Sequence, residues 1–446
     1  MARTLARMLT LRGVLRMACA VVPPVALALS CGGEVSSVPD GDGDAGIGRV
    51  GSDAGLASCG PGLQSGAPWP MFGRCPSLAA RSAAVGPASP STKWFFPAEI
   101  TAQPAVAADG TIYFGTTDGK LYALGGDGSA EWTYAAGAGV AFGGTPAILA
   151  DGTVLVGARS GPKGIGQLYA LSATGTLEWI YDTTRSTNVS TPSPSVGDDG
   201  TIYFSVAYHL YAIHPDGSAA WQTDGGGEYA ITPAIGPEGT VYVGGQYGLQ
   251  AFAPGGKPLW AFGPCADKVA ECTGQPVVAA DGTLVTTVVT LKQSPAFLLE
   301  AVHPDGTPAW SLPLASMGVG YAVGADGTIF FPLGIDVFSV SASGRQNWTS
   351  RLPAGGDGDP PVIDAAGTMY LGTRATGPSP CGLPCEQPTG AGIQALHADG
   401  TTAWVFKTDT AFVSPAIGAD GTLYAPALGE RGVRPPQGVG LYAIGP

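Results

Sequence analysis

Along residues 103–134, QPAVAADGTIYFGTTDGKLYALGGDGSAEWTY, short apolar runs alternate with Asp-Gly pairs. The runs PAVAA, TIYFG, KLYAL and AEWTY are rich in β-branched and aromatic residues, and Asp109-Gly110, Asp118-Gly119 and Asp127-Gly128 separate them. Gly can take the positive φ that a tight turn demands, so this alternation predicts four short antiparallel strands joined by turns. The product is one small sheet, a blade of about thirty residues, which cannot bury both faces without neighbours.

The chain supplies those neighbours. The D-G-T corner recurs with its Thr at Thr111, Thr153, Thr201, Thr240, Thr283, Thr328, Thr368 and Thr422. Glu238 and Ala366 replace the Asp in two copies, whereas the Gly is always present. The first seven copies each end in a G-x-x-x-W strand, at Trp132, Trp179, Trp221, Trp260, Trp310, Trp348 and Trp404. The eighth stops at Leu441–Ile444, one strand short, while Trp94 in KWFFP stands ahead of the first copy with no blade of its own. One geometry uses both remainders: Lys93–Phe96 becomes the outer strand of the C-terminal blade. The expected fold is therefore all-β, an eight-bladed β-propeller of four-stranded antiparallel blades over residues 67–446, with the ring closed by that N-terminal strand.

Composition agrees. With 45% hydrophobic and 12% charged residues, the 446-residue chain is too apolar for disorder, and its 70 Gly argue against a helical protein. Almost no stretch after residue 90 shows a 3.6-residue period.

The first 90 residues read differently. Arg3, Arg7, Arg12 and Arg16 precede a short apolar run, Met17–Leu29, so residues 1–30 read as an export signal. The tail LALSC resembles a bacterial lipobox, which implies acylation of Cys31; Ala28 stands where that pattern usually has Leu. The alternative is an ordinary secretory signal cut near Ala28. Residues 31–66 read as a Gly/Asp/Ser linker, a tether able to set a domain roughly 30 Å from a membrane. Asp40, Asp42 and Asp44 alternate with Gly as in part of a calcium loop, but no later bidentate carboxylate follows, so no metal site is expected.

Without the signal the chain keeps 17 Lys and Arg (21 less the four arginines) against 34 Asp and Glu, a balance of about −17. Such a surface repels nucleic acid and anionic headgroups, so membrane attachment rests on the lipid alone. Cysteine usage fits export. Apart from Cys19 and Cys31, the remaining six form three local pairs: Cys59 with Cys75, Cys265 with Cys272, and Cys381 with Cys385. All three read as disulfides in an oxidising compartment.

Catalytic patterns are sparse. His214, His303 and His397 hold one position of the repeat (IHPDG, VHPDG, LHADG) and read as turn residues; His209 stands alone in a hairpin of the third copy. The Trp ring recurs once per blade and reads as blade-to-blade packing. Neither G-x-S-x-G, nor H-E-x-x-H, nor a phosphate loop is present.

Trp69–Arg74 (WPMFGR), Arg81 and Gly86-Pro87, together with the D-G-T-ψ-Y-ψ-G … L-Y-A-L … W strand pattern (ψ, aliphatic or aromatic), resemble the pyrroloquinoline-quinone-like propeller repeat superfamily. The resemblance runs from Trp69 to the C-terminus and implies the fold; function varies widely within the superfamily. Quinoprotein dehydrogenases of this fold carry long loops over a calcium-bound quinone and often adjacent cysteines. This chain has no Cys-Cys pair and is similar in economy to the propeller lipoprotein of the outer-membrane β-barrel assembly machinery, a non-catalytic scaffold. That similarity implies no cofactor and a monomeric protein-binding scaffold in the bacterial envelope, outer-membrane anchored and facing periplasm or surface. A quinone-dependent dehydrogenase and a surface carbohydrate-binding propeller are the alternatives. Gly32 and Gly33 follow Cys31 where inner-membrane lipoproteins have Asp. The a–b and c–d turns stay short in nearly every copy, whereas the b–c and d–a connections vary in length, which makes their face the expected partner-binding surface, with its longest excursions at Ala375–Gly392 and Gly429–Gly440.

Overall fold

A computed structural model describes residues 59–446 except 187–191, 227–230, 264–272, 291–295, 317–319, 354–356, 375–390, 409 and 429–437. The export signal, Cys31 and the acidic stretch Asp40–Asp44 lie outside the described residues. So do two of the three expected disulfides, Cys265 with Cys272 and Cys381 with Cys385; the bridge found among the described residues joins Cys59 and Cys75. The fold is all-β, with no helix among the described residues and eight antiparallel sheets arranged as the blades of a propeller. In blade one, strands a to d are Ala105–Val106, Ile112–Gly115, Lys120–Leu124 and Ala130–Ala135, paired in chain order.

Burial explains why the strands read so differently. Strand b, IYFG, is buried at every position because blades cover it on both sides. Strand d, AEWTYA, alternates between exposed and half-buried, since one of its faces meets the next blade and the other meets solvent. The pattern recurs in AAWQTD, PLWAF and QNWTSR. Blades two, seven and eight interrupt the innermost strand: Val140–Phe142 and Ala147–Ile148, for example, pair with opposite ends of Val154–Ser160.

Blade eight is assembled from both ends of the chain. Ser91–Pro97 lies antiparallel to Gly440–Gly445, with Trp94 opposite Ala443 and Phe96 opposite Leu441. Ser91 Oγ donates to Gly445 O (3.0 Å), and Lys93 Nζ reaches Asp420 at 3.0 Å. Trp94 is half-buried, as are Trp132 and Trp179, because its indole lies on the blade rim against the turn of blade one.

Residues 59–87 form an element that strand patterning does not announce. They wind through the D-G-T mouth of the central channel and accept backbone hydrogen bonds from the innermost strands. Val106 N donates to Trp69 O, Ile148 N to Pro70 O, Ile235 N to Pro76 O, Val278 N to Ser77 O, Val323 N to Ala79 O and Ile363 N to Ala80 O, all at 2.8–3.1 Å. This plug satisfies donors in six blades that would otherwise face an open channel. Its apolar residues Leu63, Trp69, Met71 and Leu78 are buried. The folded body therefore includes at least Cys59–Gly66, a stretch that its Gly content alone marks as linker. Leu63 is held there by a bridge to Leu149, and the Cys59–Cys75 disulfide ties the start of the plug to its middle.

Candidate functional site

The ring has two faces of different construction. On one, D-G-T corners join strands a and b, and each Asp side chain accepts from the Thr backbone N–H two residues on. Asp109, Asp151, Asp199, Asp281, Asp326 and Asp420 do so at 2.9–3.0 Å. In blade seven, where Ala366 replaces the Asp, Asp364 reaches forward instead, taking Ala366 N (2.9 Å) and Thr368 N (2.8 Å). The c–d turns use the same device. Asp127, Asp216, Asp305 and Asp399 accept from a following Ser or Thr through both N–H (2.9 Å) and hydroxyl (2.6 Å). The hydroxyl bond, with the backbone bond beside it, holds these carboxyls below the usual range. His214, His303 and His397 open three such turns through backbone bonds, so the structure spaces them around the ring and gathers no acid–base group from them.

The Trp residues couple each blade to the next. Trp94, Trp132, Trp179, Trp221, Trp260, Trp310 and Trp348 each donate the indole N–H to a carbonyl in the following c–d turn, at 2.7–3.0 Å. The positive-φ Gly of that turn lies against the indole: a Cβ at Gly306 (φ 87°) would stand 2.7 Å from the Trp260 ring. The indole faces are thus occupied by backbone. Trp404 makes the corresponding bond to Pro87 O at 2.8 Å.

The opposite face carries the b–c and d–a connections. In blade three the b–c hairpin turns through Ala207 (φ 50°) and Tyr208 (φ 66°), a positive-φ pair whose twist matches the flanking strands. His209 follows, its Nδ1 2.8 Å from Ala207 O and its Nε2 3.5 Å from Asp224. In blade seven Arg374 donates from one Nη to both Asp359 oxygens at 3.0 and 3.1 Å, at the root of the longest insertion. Between blades one and two a cavity of about 440 Å³ opens among Gly137, Gly139, Arg159, Gly161 and Lys163. Most of Ala375–Gly392 and Gly429–Gly440 lies outside the described residues, and with the first insertion go Cys381 and Cys385. Cys265 and Cys272, in the connection between blades four and five, lie outside them as well.

The plug divides the central channel. Toward the d–a connections remains a pocket of about 70 Å³ beside Phe72, Gln103 and Tyr321. Gln103 ties plug to ring there, accepting from Gly73 N (3.4 Å) and donating to Pro415 O (2.7 Å). Toward the D-G-T face lies a cavity of about 450 Å³, bounded by Cys59, Arg74, Arg81 and the inner ends of blades three to six. A calcium-held quinone requires carboxylates converging on the axis. Among the described residues no three His, Cys, Asp or Glu side chains gather around a common point, and Trp69, Met71 and Leu78 fill the axis itself. The described residues do not fit that group. Sequence reasoning did not find the plug cavity, which depends on residues brought together only by ring closure, nor the part Asp364 plays, which is local but lies outside the D-G-T pattern.

The family described as outer membrane protein assembly factor BamB matches residues 79–287. Among solved structures, BamB from Moraxella catarrhalis aligns at 16% identity over 80% of this chain and 99% of that one, with a TM-score of 0.57. The C-terminal WD40 domain of Sif2 aligns at 10% identity over 81% and 99%, also at 0.57. Streptogramin B lyase aligns at 11% identity over 80% and 96%, at 0.46. No curated protein matches the chain. At these identities the solved structures establish the architecture alone. The chain is an all-β propeller that is similar, over residues 79–287, to the family of the assembly factor BamB.

Proposed function

We propose that the protein is a non-catalytic, protein-binding propeller of the bacterial cell envelope. In this reading residues 1–30 direct export, acylated Cys31 anchors the chain in the outer membrane, and the face bearing the b–c and d–a connections engages an envelope protein. The observation that carries it is the asymmetry of the ring. One face is made of repeated short turns whose carboxylates and indoles are committed to the fold. On the other, strand b of blade seven ends at Arg374 and strand c resumes at Ala391, and blade eight spans Leu428 to Gly440 in the same way. Excursions of that length on a rigid ring are where recognition resides. The match to BamB over residues 79–287 supports a scaffold role.

The test is capture from membranes. Full-length protein crosslinked in cells should retain specific envelope proteins, and shortening residues 375–390 should weaken their retention while leaving the far-UV circular dichroism and melting curve unchanged. Cys31→Ser should move the protein to the soluble fraction. An unchanged partner profile after the deletion would move the site off this insertion, and equal membrane association of Cys31→Ser would remove the anchor from the reading.

A further inference from the structure

The cavity at the centre of the D-G-T face is on the side of the ring away from the proposed partner surface, and its chemistry differs from everything around it. The cavity of about 450 Å³ is open to that face and has the size of a small-molecule pocket. Most of its wall is apolar or backbone, from Pro76, Val196, Ile235, Val278, Val323 and the turn glycines.

Two guanidinium groups line it. Arg74 is 3% exposed and fixed, donating Nε to Pro68 O (3.0 Å) and Nη1 to Cys75 Sγ (3.5 Å). Arg81 is different. Its backbone is held in the plug beside Ile363, yet its buried Nε has no hydrogen-bond partner, and no carboxylate pairs with it among the described residues. A buried guanidinium donor left unpaired is costly. The plug places the Arg81 guanidinium in the wall of the cavity, where no described carboxylate pairs with it. Asp198 is the only carboxylate among the described lining residues. The neighbouring corner carboxylates Asp199, Asp281 and Asp326 are turned into their own Thr N–H groups.

We propose that this cavity binds a carboxylate carried on a compact apolar body, with Arg81 as the group that recognises it. A planar guanidinium suits a carboxylate through paired N–H donors, and apolar walls with little water strengthen that pairing. The acidic corners around the mouth disfavour a dianion such as phosphate over a single negative charge. Two sources share the chemistry: a free organic acid and the C-terminal carboxylate of a peptide.

The experiment is calorimetric titration of the full folded chain with hexanoate and with a hydrophobic tripeptide, as free acid and as C-terminal amide. Binding of at least one free acid, with the amide at least tenfold weaker, is expected. If hexanoate binds, a small acid suffices; if only the peptide acid binds, the site reads a chain terminus. Arg81→Gln should weaken binding by about tenfold to a hundredfold, the worth of a charge-assisted pair. Ala280→Trp, which fills the mouth from an exposed position and leaves Arg81 intact, should abolish it with an unchanged melting temperature. Failure of both free acids to bind, equal affinity for acid and amide, or unaltered binding in a folded Arg81→Gln protein would each overturn the proposal. None of these results bears on capture by the opposite face, so the two readings fail separately.

Discussion

Trp404 Nε1 donates to Pro87 O at 2.8 Å across a sequence separation of 317 residues. Each preceding Trp bonds forward to the c–d turn of the next blade. Blade eight has no such turn, because its c and d strands come from opposite ends of the chain. Pro87, just ahead of Ser91–Pro97, takes the place of the missing turn, and Gly86 N is pinned by Asp364 Oδ2 at 2.9 Å. Trp404 is also the one member of the Trp series that is fully covered, at 9% exposure.

Two truncations separate the contributions of this closure. A chain beginning at residue 88 loses the plug and Pro87 but keeps the outer strand of blade eight. A chain beginning at residue 98 loses both. Urea unfolding should show the second markedly less stable than the first, with one cooperative transition lost or shifted for the whole ring. Trp404→Phe should cost about 1–2 kcal/mol through the unpaired Pro87 carbonyl. Equal midpoints for the two truncations would show that the outer strand contributes nothing.

The indole–glycine contact makes a sharper prediction. Gly306 and Gly110 have nearly the same φ, 87° and 90°, but a Cβ meets Trp260 at 2.7 Å in the first and nothing within 4 Å in the second. Both Ala substitutions bear a left-handed backbone cost of about 1–2 kcal/mol. Gly306→Ala should cost roughly 1–3 kcal/mol more, because the ring of Trp260 must move. Chemical denaturation of the two variants measures the difference directly.

Glu300 gives a pH dependence. It is 8% exposed in strand c of blade five; burial pushes its carboxyl up, partly offset by the bond from Ser311 Oγ at 2.9 Å. In the window between its unfolded and raised folded values, the native state holds more proton than the unfolded one. Stability contributed by this group is therefore lost as pH rises through that window. Glu300→Gln keeps an oxygen for Ser311 and removes the charge, so it should raise the melting temperature at pH 7. Its advantage should shrink as pH falls below the ordinary carboxyl range. A difference independent of pH would assign the effect to packing.

The Cys59–Cys75 bridge closes a loop with a sequence separation of 16 and fixes the start of the plug. Replacing both cysteines by Ser should cost about 3 kcal/mol, the chain-entropy value for a loop of about fifteen residues. A reductant should lower the melting temperature of the parent. Mass mapping of the non-reduced protein tests the other two expected bridges: peptides holding Cys265 and Cys272, and Cys381 and Cys385, should each carry a mass two hydrogens below the reduced form.

Most of the blade structure was legible along the chain because it is local. An Asp-Gly pair sets a turn, the next apolar run sets a strand, and Trp132 or Trp260 marks the outer strand by spacing alone. Ring closure was legible for a countable reason: Trp94 had no blade, and Leu441–Ile444 lacked a strand. The similarity of WPMFGR to lead-in segments of related propellers placed that segment in the folded body, but revealed neither that Cys59–Gly66 belongs to it nor what the segment does.

The tertiary structure decided the rest. Residues 59–87 show neither strand alternation nor helical period, because they are held by scattered backbone hydrogen bonds to six different blades, and no local pattern encodes partners so far apart in sequence. Asp364 could stand in for the Asp missing at Ala366 only by turning its side chain toward both Ala366 N and Thr368 N. The surroundings of Arg81 follow from the closed ring: it is an ordinary cation in sequence. Its unpaired Nε arises because the plug fixes its backbone at Ile363 while blades three to six wall off the cavity. Contacts within one blade, where turn and strand are a few residues apart, are written in the sequence; contacts on the axis require all eight blades in place and so belong to the ring.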